Sequence, residues 1–174
     1  PALCDCHVHL SLSGAEDADA RKAQLSASFE EAKDTIRENL AALPARGIVA
    51  VRDGGDRLAH TLQYKRSRPP GEGVEILSAG QAWHAPGRYG AVIGRAPVNG
   101  RGLAESIRAS APGDLVKIVN SGLNSLSEFG RETSPQFKGE DLREAVALVH
   151  SMGLKVMVHA NGKRAVQEAL EAGC

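Results

Sequence analysis

The sequence lacks net charge: 21 Lys and Arg stand against 21 Asp and Glu in 174 residues. Such a balance gives no electrostatic ground for a nucleic acid or an anionic membrane surface as partner. The chain also lacks any unbroken apolar run near the ~18–20 residues that a membrane span needs. It does not open on the basic-then-apolar pattern of a secretory leader. Cysteine is scarce, three residues in all. Cys4 and Cys6 flank Asp5 on one strand face, too close for an unstrained bridge to each other. Reduced thiols of a cytoplasmic protein are the expected state, with a Cys-x-Cys metal pair as the alternative. No repeat and no low-complexity tract is present. The basic group Lys65, Arg66 and Arg68 runs into Pro69-Pro70-Gly71 and reads as a solvated loop.

What is present is an alternation of short apolar runs with amphipathic runs. Strands are expected over residues 3–10, 48–53, 74–79, 115–120 and 155–159. Helices are expected over 29–45, 103–109, 139–152 and 163–172. Ser28 with Glu31 three residues on is a capping signature for the first helix. In the third, Leu142, Ala145, Val146 and Val149 recur at helical spacing before Gly153 stops it. Strand-then-helix order with β-branched strands argues for a parallel sheet in one α/β domain large enough for a real core. The Gly- and Pro-rich stretch 80–101 reads as a long functional loop. His60 and His150 read as exposed residues of a loop and a helix.

Four chemical signals end or interrupt those strands, and parallel α/β folds build their sites at the carboxyl ends of strands. His7-Val8-His9 puts two imidazoles at i and i+2, on one strand face, where they can share a metal ion or simply stack at the surface. Lys117 sits among Val116, Ile118 and Val119 in an apolar strand. Either a carboxylate partners it, or burial lowers its pKa and frees a neutral amine able to add carbon dioxide. His159 closes the fifth strand, as structural residue or ligand. Asp53 closes the second, before Gly54-Gly55, where capping the turn is favoured over contacting substrate.

The combination is more specific than its parts. His-x-His on strand one, Lys on strand four and His on strand five come in the order and spacing of successive β/α units. With these stand Cys4-Asp5-Cys6-His7-Val8-His9-Leu10, Gly47 through Asp53, Asp114 through Gly122, Ser134-Pro135-Gln136-Phe137 and Gly153 through Gly162. On those stretches the chain resembles the amidohydrolase superfamily, in particular its imidazolonepropionase-like and Xaa-Pro dipeptidase-like branch.

The resemblance implies a partial TIM-like (β/α) barrel: residues 1–174 as an incomplete (β/α)8 metal-dependent hydrolase domain holding strands one to five. It implies hydrolysis of an amide, peptide-like or cyclic amide C–N bond by a metal-bound hydroxide. One or two divalent metal ions, zinc by ligand type, are the implied cofactor. His7 and His9 would bind the more buried ion, a carboxylated Lys117 would bridge both and serve catalysis, and His159 would bind the more exposed ion. His84, Tyr89 and Arg131, with Glu132 beside it, are the candidate substrate contacts. The implied partner is a small amide or dipeptide-like molecule, and the chain is expected to form a homo-oligomer or to associate with the remainder of its barrel.

The chain departs from the family pattern at three points. The sixth-strand histidine and eighth-strand aspartate of the family fall beyond Cys174, and a whole barrel takes ~250 residues. The chain alone is therefore expected to be inactive, and the alternative reading is an incompetent barrel fragment serving folding, metal binding or association. Asn161 stands where relatives often carry a second histidine, and Gly87-Arg88-Tyr89-Gly90 where they often have Gly-Gly-His-Gly. A flavodoxin-like anion binder is disfavoured, because Ser11-Leu12-Ser13-Gly14-Ala15 makes a poor phosphate loop after the first strand.

Overall fold

A computed structural model describes residues 2–98, 100–123 and 127–174. Its elements run β1 (Leu3–Val8), α1 (Ala18–Gln24), α2 (Phe29–Ala41), β2 (Ile48–Asp53), α3 (His60–Ser67), β3 (Glu75–Ser78), β4 (Ala82–Trp83), β5 (Gly94–Arg95), α4 (Leu103–Arg108), β6 (Leu115–Val119), α5 (Gly139–Ser151), β7 (Lys155–His159) and α6 (Lys163–Glu171). All strand pairs among the described residues are parallel, in two sheets of order β1-β2-β3 and β5-β4-β6-β7. The sheets meet at Ser78 and Asp114. The Asp114 amide donates to the Ser78 carbonyl at 2.8 Å, and the Ser78 amide donates to Asp114 Oδ2 at 2.8 Å. Parallel pairing places all strand carboxyl ends on one side, where β1, β6 and β7 present their polar residues.

Local chemistry accounts for most boundaries. Ser28 and Glu31 form the reciprocal cap of α2, whose Ala32, Ile36 and Leu40 pack inward. That helix stops at Ala41 rather than at residue 45. Pro44 has no amide to donate and disfavours helical geometry before it, so residues 44–46 tighten into a 3-10 turn instead. In α5 the expected stripe Leu142, Ala145, Val146 and Val149 is buried against Ile107 of α4 and Val116 and Ile118 of β6. A second cluster joins Leu10, Ile36, Leu40, Val51, Val74 and Ile76 under α2. All five residues of β6 are buried, so Lys117 is enclosed by the core and not by an edge.

Three expectations are corrected here. The segment with Lys65 and Arg66 is helical, forming the last turn of α3, and Lys65 pairs with Asp114 at 2.6 Å. His60 is buried in the first turn of α3: its Nε2 lies 3.0 Å from the Ala27 carbonyl and its ring faces Phe29. His150 is exposed on a helix, as expected. The loop expected over 80–101 contains the two-residue strands β4 and β5. No helix among the described residues is long and apolar enough to cross a membrane.

Candidate active site

The first pair of imidazoles owes its position to a break in strand pairing. Asp5 pairs with Val51 and Val8 with Asp53, so three steps along β1 oppose two along β2. Such an irregularity bends the strand and re-aims its side chains. His7 and His9 leave this bulge with ring centroids 5.4 Å apart, edge to face. His9 Nδ1 lies 2.7 Å from the Gly55 carbonyl. A carbonyl only accepts, so Nδ1 carries the proton and Nε2 keeps a free lone pair. Gly54 makes room for this ring: a Cβ there would meet His9 Cε1 at 2.8 Å.

Lys117, in the middle of β6, is 1% exposed. Among the described residues it has no carboxylate partner. Its Nζ instead lies 3.3 Å from His7 Nε2, donating to an imidazole lone pair. Burial holds the amine down at about 8. Desolvation of its ring against the cleft wall, together with the Lys117 charge, pushes His7 down to about 4, although the residue as a whole is exposed. His9 and His159 are also lowered, mainly by burial. Each of the three imidazoles thus favours its neutral form, the form that donates a lone pair.

His159 ends β7. Its Nε2 lies 3.2 Å from the Gly122 carbonyl, an acceptor, and 3.4 Å from Asn161 Nδ2, a donor, so the ring is held at Nε2 and Nδ1 has no protein partner among the described residues. The Asn161 amide nitrogen donates to the same Gly122 carbonyl at 3.1 Å, bracing the loop behind the ring. Tyr89 packs on His159 with ring centroids 5.5 Å apart. His7, His9, Lys117, His159 and Tyr89, with Val8 and Ile93, line one cleft of about 340 Å³. Among the described residues no three His, Cys, Asp or Glu side chains come together closely enough to hold a metal ion by themselves.

The remaining candidates divide. Tyr89 lines the cleft, while His84 and Arg131 do not. His84 is buried, its Nδ1 2.9 Å from the Ala85 carbonyl, and exposed Arg131 pairs with Glu128. Glu132 accepts from the Lys163 amide at 3.1 Å and so satisfies the first turn of α6. Cys4 and Cys6 are free, exposed and 4.0 Å apart at sulfur, outside the cleft lining. Asp53 is fully buried and accepts from Leu10 N, Gly55 N and Ser78 Oγ, each at 3.0 Å, the turn-holding role expected of it. Burial raises its carboxyl to about 6, against those three donors. Sequence reasoning missed Gly122, whose carbonyl fixes His159. The nearest signal was its place just past an apolar strand.

Comparison with known proteins fits this geometry. The model of the amidohydrolase family matches residues 1–174. Similar solved structures include a Xaa-Pro dipeptidase with methionine bound in its active site (22% identity, TM-score 0.71, 99% of this chain and 46% of that one). A prolidase complexed with N-methylphosphonate-L-proline matches at 23% identity and TM-score 0.66, again over 99% and 46%. An ochratoxinase from A. niger matches at 19% identity and TM-score 0.67, over 100% and 46%. No curated protein matches the sequence. The chain spans a little under half the length of these structures, and its two parallel sheets form part of a TIM-like barrel. The chain belongs to the amidohydrolase family.

Proposed function

We propose that the protein is a metal-dependent hydrolase of an amide, peptide-like or cyclic amide C–N bond, and that residues 1–174 supply one part of its site. The observation that carries this reading is Lys117: a fully buried amine, without an acidic partner among the described residues, facing an imidazole lone pair at 3.3 Å. A purely structural lysine would pair with a carboxylate or reach solvent. Lowered to about 8, this amine is neutral in an appreciable fraction near pH 7. The neutral nitrogen adds carbon dioxide, forming a C–N bond and releasing a proton, to leave a carbamate anion.

Three neutral imidazoles and one such anion are a donor set suited to zinc. His7 and His9 would hold one ion, His159 a second, with the Lys117 carbamate between them. A bound divalent ion supplies Lewis acidity, lowering the pKa of water and polarising a carbonyl. The chain's own residues do the rest. Gly55 and Gly122 orient the two outer imidazoles through their carbonyls. Tyr89 and Ile93 wall the cleft beside the ligands and exclude water from one side of the substrate. The dipeptidase and prolidase among the similar structures support a dipeptide-like or N-acylated substrate, and the three free thiols are compatible with a cytoplasmic setting. In the full-length protein, Lys117→Ala is expected to lose one of two bound zinc ions and turnover of dipeptides together. Two metals and undiminished turnover in that variant would overturn the carbamate role.

A further inference from the structure

Asp53 stands outside the cleft lining, yet two of its three hydrogen-bond donors flank His9. Leu10, whose amide donates to Oδ2, is the next residue along the chain from His9. Gly55, whose amide donates to Oδ1, is the residue whose carbonyl takes the His9 Nδ1 proton. Gly55 has little slack of its own. It sits at φ +88°, and a Cβ there would come within 2.6 Å of the Gly80 carbonyl oxygen. The carbonyl that orients the ring belongs to the Gly55–Asp56 peptide, whose Asp56 N–H donates to the Gly80 carbonyl at 2.9 Å, while Asp53 holds the N–H of Gly55 itself. Capping the turn would need only the Gly55 contact. The second arm, to Leu10, pins the backbone that carries His9. A carboxylate suits this position because both oxygens accept and neither donates.

We propose that Asp53 is a positioning residue: by gripping Gly55 and Leu10 together it fixes the His9 imidazole in its Nδ1–H tautomer and turns Nε2 into the cleft. The use of that Nε2 as a metal ligand rests on the hydrolase reading above, and the tautomer itself does not. Groups behind a ligating imidazole typically contribute 10- to 100-fold to metal affinity. Asp53→Asn keeps the shape but turns one acceptor into a donor. Whichever way the amide faces, it meets the Gly55 or the Leu10 N–H with a hydrogen, and one arm opens.

The test combines nitrogen-15 NMR of the His9 ring with zinc titration of the full-length protein, for wild type, Asp53→Asn and Ser78→Ala. Ser78→Ala removes the third donor to Asp53, and an acceptor from the Gly80 amide, while leaving the Gly55 and Leu10 donors to Asp53 in place. The metal-free wild type is expected to show His9 protonated at Nδ1. Asp53→Asn is expected to shift that signature toward a tautomer mixture and to weaken zinc binding about 10-fold or more. Ser78→Ala is expected to lose stability with the His9 signature intact. A His9 signature and zinc affinity unchanged in Asp53→Asn would overturn the proposal. So would an Nε2–H tautomer in the wild type, a measurement that stands even if Asp53→Asn fails to fold. If the wild type binds no zinc while Asp53→Asn still alters the tautomer, the metal reading falls and the positioning role survives.

Discussion

Replacing Lys117 by Met should stabilise the metal-free fold, because the native lysine is held where its charge is unwelcome. The side chain is enclosed by β6 and its neighbours, and burial lowers the amine from 10.5 to about 8. At ~1.36 kcal/mol per pKa unit, a shift of that size corresponds to about 3 kcal/mol spent on keeping the ammonium folded at pH 7. Met has a similar length, no charge and an apolar end. It forgoes the hydrogen bond to His7 Nε2, worth roughly 1 kcal/mol, but His7 is open enough for water to replace it. The net gain is then about 2 kcal/mol, or roughly 4–8 °C in Tm for a chain of this size. The gain depends on pH in a defined way. The folded pKa is the lower one, so the penalty is complete below about pH 8 and fades as pH rises toward 10.5. Urea unfolding of both proteins in chelator and carbon-dioxide-free buffer, at pH 7 and at pH 10.5, reads this directly. A variant less stable than wild type at pH 7, or an advantage undiminished at pH 10.5, would refute the reasoning.

Two further outcomes follow from the same geometry. His7 is pushed down to about 4, and His9 and His159 are lowered too, so protons compete for these imidazoles only in more acidic solution than usual. Zinc should stay bound as pH falls through 6.5 and leave only in more acidic solution, read with a chromophoric chelator; a midpoint near 6.5 would show ordinary, unburied histidines. Gly54→Ala places a Cβ 2.8 Å from His9 Cε1 and 3.5 Å from His7 Cδ2. The ring must swing away from Gly55, and zinc affinity should fall about 10-fold, whereas unchanged affinity would mean that His9 is not held where the structure has it.

Much of this site was readable before any coordinates. Two imidazoles at strand spacing and a lysine inside Leu115-Val116-Lys117-Ile118-Val119 break the apolar pattern where the fold places polar groups, and they do line one cleft. The bounds of β2 and β7 were legible because β-branched runs end abruptly at Asp53 and His159. The tighter features were not. The strand pairing of β1 stops at Val8, because Leu10 gives its amide to the Asp53 carboxylate, a tertiary contact no local pattern announces. Helix α3 escaped notice because its cap is displaced. Ala59 stands at the N-cap in a left-handed conformation while Asp56, several residues earlier, accepts from His60 N and Thr61 N. That cap draws His60 inward, against the expectation of exposure. His84 was expected from its place near the family's Gly-Gly-His-Gly position and Arg131 from its place in a loop; neither carries a side-chain direction, and both lie outside the cleft lining.

An anomalous-scattering map at the zinc edge, from crystals of the zinc-soaked full-length protein, tests the central claim most directly. The account predicts metal peaks within bonding distance of His7, His9 and His159, and extra density on Lys117 Nζ joining it to them. Peaks elsewhere, or a bare Lys117 amine beside an empty cleft, would contradict it.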